Sequence, residues 1–278
     1  MPRDIRLPSS DTRNPGRLLQ AVEETREMPS TLGDIISNNS EEEFLKLFES
    51  AFSQQRRQML EAHRTILRAC YRNRELCPKI SAGKKEEVVK KWIERYDNGY
   101  KNRISKRISR PPKTTSDLII NNIIRARMPG LTEEHLEQIK YAHRLSMSAE
   151  NILGLLLEEF LAEQLAEYGW HCCWGATLLH VDFCNVDGRL LQVKNRSNSE
   201  NSSSSKVRND KAIEIWYRID AKTGSDQWDY FNSEYKTDRF SEKNFIEFVS
   251  QVLTSNPDAL PVEENNPWME IANSSRQI

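Results

Sequence analysis

The spacing of apolar residues changes abruptly near residue 170, and that change limits what the chain can fold into. Across residues 150 to 167, Ile152, Leu155, Leu156, Phe160, Leu161 and Leu165 form one apolar stripe at helical spacing. Ser148 precedes this helix and Gly169 is placed to stop it. Beyond Gly169 the pattern becomes β-like: residues 177 to 184 and 189 to 194 read as short strands, joined through Asn185-Val186-Asp187-Gly188. Asp-Gly between two such runs is a strong hairpin signal, because a tight turn needs residues that tolerate positive φ. The predicted order is therefore helix, strand, tight turn, strand.

The N-terminal part reads as helical. Pro2, Pro8 and Pro15 stand among polar residues in a loose arm over residues 1 to 15. Between residues 41 and 72, Phe44, Leu47, Phe48, Ala51 and Phe52, followed by Leu60, Ile66 and Leu67, predict one long helix or a helix pair. Ser81-Ala82-Gly83 is a break, and residues 84 to 96 predict another helix ending near Asn98-Gly99. Arg110-Pro111-Pro112 marks a seam between a helical lobe (1–112) and the rest (113–278). After the seam, Ser116 is placed to cap a helix to Met128, and Thr132 to cap another through about Arg144.

Composition narrows the classes. No apolar run approaches the ~20 residues of a membrane-spanning helix, and Met1-Pro2-Arg3-Asp4-Ile5-Arg6 lacks the apolar segment of a signal peptide. A cytoplasmic protein is expected. The five cysteines are odd in number and lack CxxC spacing, which argues for reduced, buried thiols rather than disulfides or a zinc site. No histidine pair has metal-ligand spacing either. Formal net charge is −1, yet residues 84 to 113 hold eleven Lys or Arg against four Asp or Glu. A neutral protein with one basic face is compatible with DNA without demanding it.

The chemistry concentrates in the predicted hairpin. Alternation puts His180, Asp182 and Cys184 on one face of the first strand, opposite Val181 and Phe183; Leu190, Gln192 and Lys194 share a face of the second, opposite Leu191 and Val193. Asp182 and Lys194 then point into one space. A carboxylate that holds a divalent cation, beside a lysine that stabilises developing charge, suits phosphodiester hydrolysis. Oxygen ligands favour Mg²⁺ over zinc. On spacing alone, an acid facing a lysine is more often an ordinary surface pair. The residues beyond Lys194 shift the balance. Asn195, Arg196, Asn198, Ser199, Glu200, Asn201, Ser202, Ser203, Lys206 and Arg208 belong to a run dense in amides, hydroxyls and cations. Arginine reads guanine and asparagine reads adenine, while serine holds phosphates. A serine-rich linker is the plainer alternative, but it has no reason to begin at a strand-end lysine. Trp170 and Trp174 read as packing residues, and the basic run 101–113 as either a phosphate grip or a solvated surface.

From Val181-Asp182 through Leu190-Leu191-Gln192-Val193-Lys194-Asn195-Arg196 to Ser205-Lys206-Val207-Arg208, the chain resembles type II restriction endonucleases of the PD-(D/E)xK superfamily. Within them it is similar to the SinI-like branch, which reads short GG–CC palindromes. The resemblance extends over roughly residues 116 to 230. It implies an α/β (α+β) core, a mixed β-sheet flanked by helices, here beside a mainly helical N-terminal lobe. It also implies Mg²⁺ dependence, a double-stranded DNA substrate and a homodimer. The motif's first acid falls on Asp182 and its lysine on Lys194. Its second acid falls on position 192, where this chain has Gln192, an amide that can ligate a metal but brings no charge. Glu158 or Glu159 on the preceding helix, or Glu200 in the loop, could supply the missing carboxylate. Two other readings stay open: another nuclease of the superfamily, or a non-catalytic DNA-binding protein with a decayed site.

Overall fold

A computed structural model of the protein describes residues 30–111, 117–197 and 213–269. Helices α1 (Leu32–Ser37), α2 (Glu41–Gln54) and α3 (Glu61–Arg72) come first, so the 41–72 run is a helix pair. Ser40 starts α2 with a reciprocal capping box to Glu43, and three glutamates in the first turn complement the helix dipole. Two-residue strands β1 (Ser30–Thr31) and β2 (Ser81–Ala82) pair antiparallel. They precede α4 (Lys85–Lys101), which runs past the stop expected near Gly99.

Beyond the seam, Asp117 rather than Ser116 caps α5 (Leu118–Arg127); Ser116 lies outside the described residues. Thr132 does cap α6 (Glu133–Leu165), with the His135 N–H donating to its hydroxyl at 3.2 Å. The two helices expected here, one to Arg144 and one after Ser148, are a single helix of 33 residues. Neither Gly nor Pro stands between Arg144 and Ser148, and serine alone does not end a helix. Gly169, at φ 76°, ends the short 3-10 turn after α6, as expected of a residue free to adopt the left-handed region.

The main sheet has four strands in the order β3 (Trp170–Cys172), β4 (Phe183–Asn185), β5 (Leu190–Arg196) and β6 (Ile213–Ile219). The first three are antiparallel, and β5 and β6 run parallel, so the sheet is mixed. The hairpin across Asp187-Gly188 is present, with Gly188 at φ 98°. Its first strand is shorter than expected, because residues 177–182 form no strand. Gly175, Ala176 and His180 all have positive φ, which turns the chain repeatedly and prevents extension. Strands β3 and β6 carry no clean alternation that would mark them in the sequence. The first is only three residues long, and the second has apolar residues on both faces.

Helices α7 (Asp229–Tyr235) and α8 (Glu242–Ser255) complete the layers. One core packs Phe44, Phe48, Ile66 and Trp92 of the N-terminal helices against Cys184, Leu190 and Ile213 of the sheet. The other packs Phe160 of α6, Phe231 of α7 and Phe245 of α8 against Phe183, Leu191 and Trp216 on the opposite face. Helices on both faces of a mixed sheet make this an α/β fold of three layers. Trp170 is fully buried, and Trp174 packs on Tyr100 at 6.0 Å between ring centres, so both tryptophans are packing residues. Among the described residues no helix is long and apolar enough to cross a membrane.

Candidate active site

The candidate site lies where β4 begins and β5 runs on beyond it. Phe183 pairs with Leu191 and Cys184 with Leu190, and Asp182 stands just before this paired stretch, where the regular alternation of the strand is broken: Val181 and Cys184 both face one core and Phe183 the other. The Asp182 N–H donates to the Leu191 carbonyl at 2.9 Å, and its carbonyl accepts from Cys173 N–H at 2.8 Å. Its backbone is thus held by β5 on one side and by the residue that follows β3 on the other, although it lies outside β4. The side chain is held too: the Val193 N–H donates to Oδ2 at 2.7 Å.

A cavity of about 180 Å³ opens beside Asp182 and is shared with Glu158, Cys172 and Cys173. Glu158 comes from α6, two turns after Asn151 on one helical face. Burial pushes the Glu158 carboxyl up to about 8, and the neighbouring Asp182 carboxylate adds to the shift. Burial also raises Asp182, to about 6, opposed by the Val193 N–H and by the charge of Lys194. Sequence-distant groups therefore meet here: Glu158 and Asp182 share the cavity, and Lys194 lies close enough for its charge to act on Asp182.

Glu159, the adjacent residue, does a different job. It is buried, takes the Ser105 N–H at 3.0 Å and pairs with Arg103 Nε at 3.0 Å. Its oxygens tie the end of α4 to α6. One residue along a helix is a 100° rotation, and that rotation separates the cavity carboxylate from the structural one.

The cavity wall between β3 and β4 is locked onto α4. Arg95 Nε donates to the Gly175 carbonyl at 2.6 Å. A Cβ on Gly99 would lie 2.1 Å from Gly175 N, so the two backbones touch and only glycine fits. His180, strained at φ 63°, lines the same cavity. Sequence reasoning missed this clamp. Its only signal is Asn98-Gly99, which reads as a helix stop.

The predicted reading residues are divided. Asn195 Oδ1 accepts from Arg218 Nε at 2.9 Å, and Arg218 in turn pairs with Glu242, which ties Asn195 to the α8 side of the sheet. Arg196 is exposed at the end of β5. Asn198, Ser199, Glu200, Asn201, Ser202, Ser203, Lys206 and Arg208 lie outside the described residues. In the basic run, Lys101, Lys106 and Arg110 are exposed, whereas Arg103 stacks on Tyr100 and serves Glu159.

Two half-buried carboxylates on one cavity, both hard oxygen donors with raised pKa values, fit a divalent cation such as Mg²⁺ in chemistry. Burial, with the Asp182 carboxylate beside it, makes a charge on Glu158 costly, and that is a cost a divalent ion relieves. Such a site, with a lysine at its edge, can position a phosphate and a water molecule.

Comparison with known proteins gives an independent line. A family model described as SinI restriction endonuclease matches residues 49–255. The type II restriction enzyme Eco47I of Escherichia coli is 42% identical over 148 residues, covering 51% of this chain and 64% of that enzyme. The type II restriction enzyme SinI of Salmonella infantis is 40% identical over 148 residues, with the same coverage. The chain thus spans about 64% of the length of these relatives.

Proposed function

The chain belongs to the SinI restriction endonuclease family, and from that premise we propose that it is a sequence-specific type II endonuclease. It hydrolyses a phosphodiester bond in each strand of a short palindromic double-stranded DNA site, with Mg²⁺ as cofactor. The observation that carries this reading is the Glu158–Asp182 pair on one cavity beside Lys194.

Glu158 and Asp182 would hold the cation with the Gln192 carbonyl, so Glu158 takes the role left vacant by the amide at 192. Bound there, Mg²⁺ supplies Lewis-acid polarisation of the phosphate and a more acidic water. The protein's own groups do the rest. The Val193 N–H fixes one Asp182 oxygen and leaves the other for the cation. The Lys194 ammonium stabilises negative charge that builds on the phosphate oxygens as water's oxygen bonds to phosphorus and one ester bond breaks. The clamp of Arg95 and Gly99 on Gly175 keeps the wall from collapsing into the cavity.

Sequence reading is assigned to the segment that leaves β5, with Arg196 and Arg208 as guanine readers and Lys206 on phosphate. Residues 113–278 carry the chemistry and 1–112 support it, consistent with all four of Glu158, Asp182, Gln192 and Lys194 lying in the second part. A homodimer matches the two half-sites of a palindrome, and a cytoplasmic location gives access to DNA. Incubation of plasmid DNA with the protein, with and without Mg²⁺, tests the proposal. Discrete fragments only with Mg²⁺ are expected. Smearing would mean a nonspecific nuclease, and binding without cuts a decayed module.

A further inference from the structure

Helix α5 presents its apolar side outward. Leu118 is 78% exposed, Ile119 54%, Ile120 50% and Ile123 64%, and none of the helix's residues is buried. The half-buried residues, Asn121, Ile124 and Arg125, lie on the opposite side, where Arg125 pairs with Glu133 of α6. A ten-residue helix is marginal in water on its own, and four aliphatic side chains on its free side make solvent a poor neighbour. With Met128, α5 leaves on the order of 500 Å² of apolar surface uncovered, at the upper end of the ~300–600 Å² typical of a monomer's largest patch.

We propose that this face is where two copies of the chain meet, α5 against α5 in antiparallel fashion across a two-fold axis. Self-complementarity selects a second copy over a different partner. Exposed Asp117 stands at the N-terminal end of α5 and exposed Arg127 at the C-terminal end. Antiparallel pairing sets each Asp117 against the other copy's Arg127, opposes the two helix dipoles, and stacks the isoleucines at the centre. Ile123 lies near the middle of the helix and of the exposed face, closest to the axis. Doubling the apolar area and adding the charged rim reaches the ~1,200–2,000 Å² of a specific interface. Helix α6, which carries Glu158, is joined to α5 by a short turn, so the contact would link the two active sites through one continuous element each.

This inference rests on the homodimer reading and names its surface. The test is the sedimentation mass of the protein, alone and on DNA, combined with cysteine crosslinking. The native cysteines are all buried, so Ile123→Cys adds an accessible thiol at the axis and should give a covalent dimer under mild oxidation. Ile119→Glu with Ile123→Glu should give a single-chain mass while the circular dichroism spectrum stays that of the wild type. A wild-type dimer in which Ile123→Cys does not crosslink and the glutamate variant still dimerises overturns the interface and leaves the homodimer intact. A single chain throughout, with and without DNA, overturns both.

Discussion

Replacing Glu158 by glutamine should separate the cost of a metal-free carboxylate pair from the rest of the fold's stability. The folded-state pKa of Glu158, about 8, lies well above its ordinary value of 4.5. A group raised in this way contributes stability that is fully present below pH 4.5 and is lost as pH rises through 8. At about 1.4 kcal/mol per pH unit, the full loss would approach ~5 kcal/mol. Glu158 is half-buried on a water-accessible cavity and titrates together with Asp182, which reduces the loss to the order of 2–4 kcal/mol. Without metal, wild-type protein should therefore melt on the order of 5–10 °C lower at pH 8.5 than at pH 5, from this site alone. Glu158→Gln should flatten that slope, matching the wild type at pH 5 and exceeding it at pH 8.5. On the proposed function, added Mg²⁺ should raise the wild-type melting temperature at pH 8.5, because a ligand that binds only the folded state stabilises it, and leave the variant nearly unchanged. Scanning calorimetry across pH, with EDTA or Mg²⁺, reads all of this. Parallel pH profiles for the two proteins, or a variant less stable at pH 8.5, would refute the reasoning.

Asp182→Ala and Lys194→Ala should each lower plasmid cleavage at least ~100-fold while DNA retardation in gels persists; near-normal cutting by either removes that residue from the mechanism. Gly99→Ala should destabilise by about 1–3 kcal/mol in urea, because its Cβ meets Gly175 at 2.1 Å, and a midpoint equal to wild type would mean the clamp is slack. Arg196→Ala and Arg208→Ala should weaken cognate binding ~5- to 150-fold with little change on random duplex. Lys206→Ala should weaken both alike and flatten the salt dependence, and equal losses on both duplexes for the arginines would place specificity elsewhere.

Local interactions made much of this protein legible from its residues. Ser40 with Glu43, Thr132, Gly169 and Gly188 mark element ends through contacts within a few residues. The Asp187-Gly188 turn brings Asp182 toward Lys194, because a hairpin's register follows from its turn. The features that the local pattern left open depended on neighbours distant in sequence. Residues 177–182 look extended on paper, but positive φ at Gly175, Ala176 and His180 turns the chain there, next to the close contact of Gly175 with α4. The break expected between Arg144 and Ser148 rested on capping signals, and an uninterrupted hydrogen-bonded helix overrode them. Glu158 and Glu159 are chemically equal and adjacent, so no period or motif could rank them. Packing assigned one to the cavity with Asp182 and the other to Arg103 and Ser105. The sequence alone could name an acid, a lysine and the turn that joins them, because those are matters of spacing. Which of the two neighbouring carboxylates faces the cavity was decided by how α6 is rotated against the sheet, and that rotation is a property of the two cores.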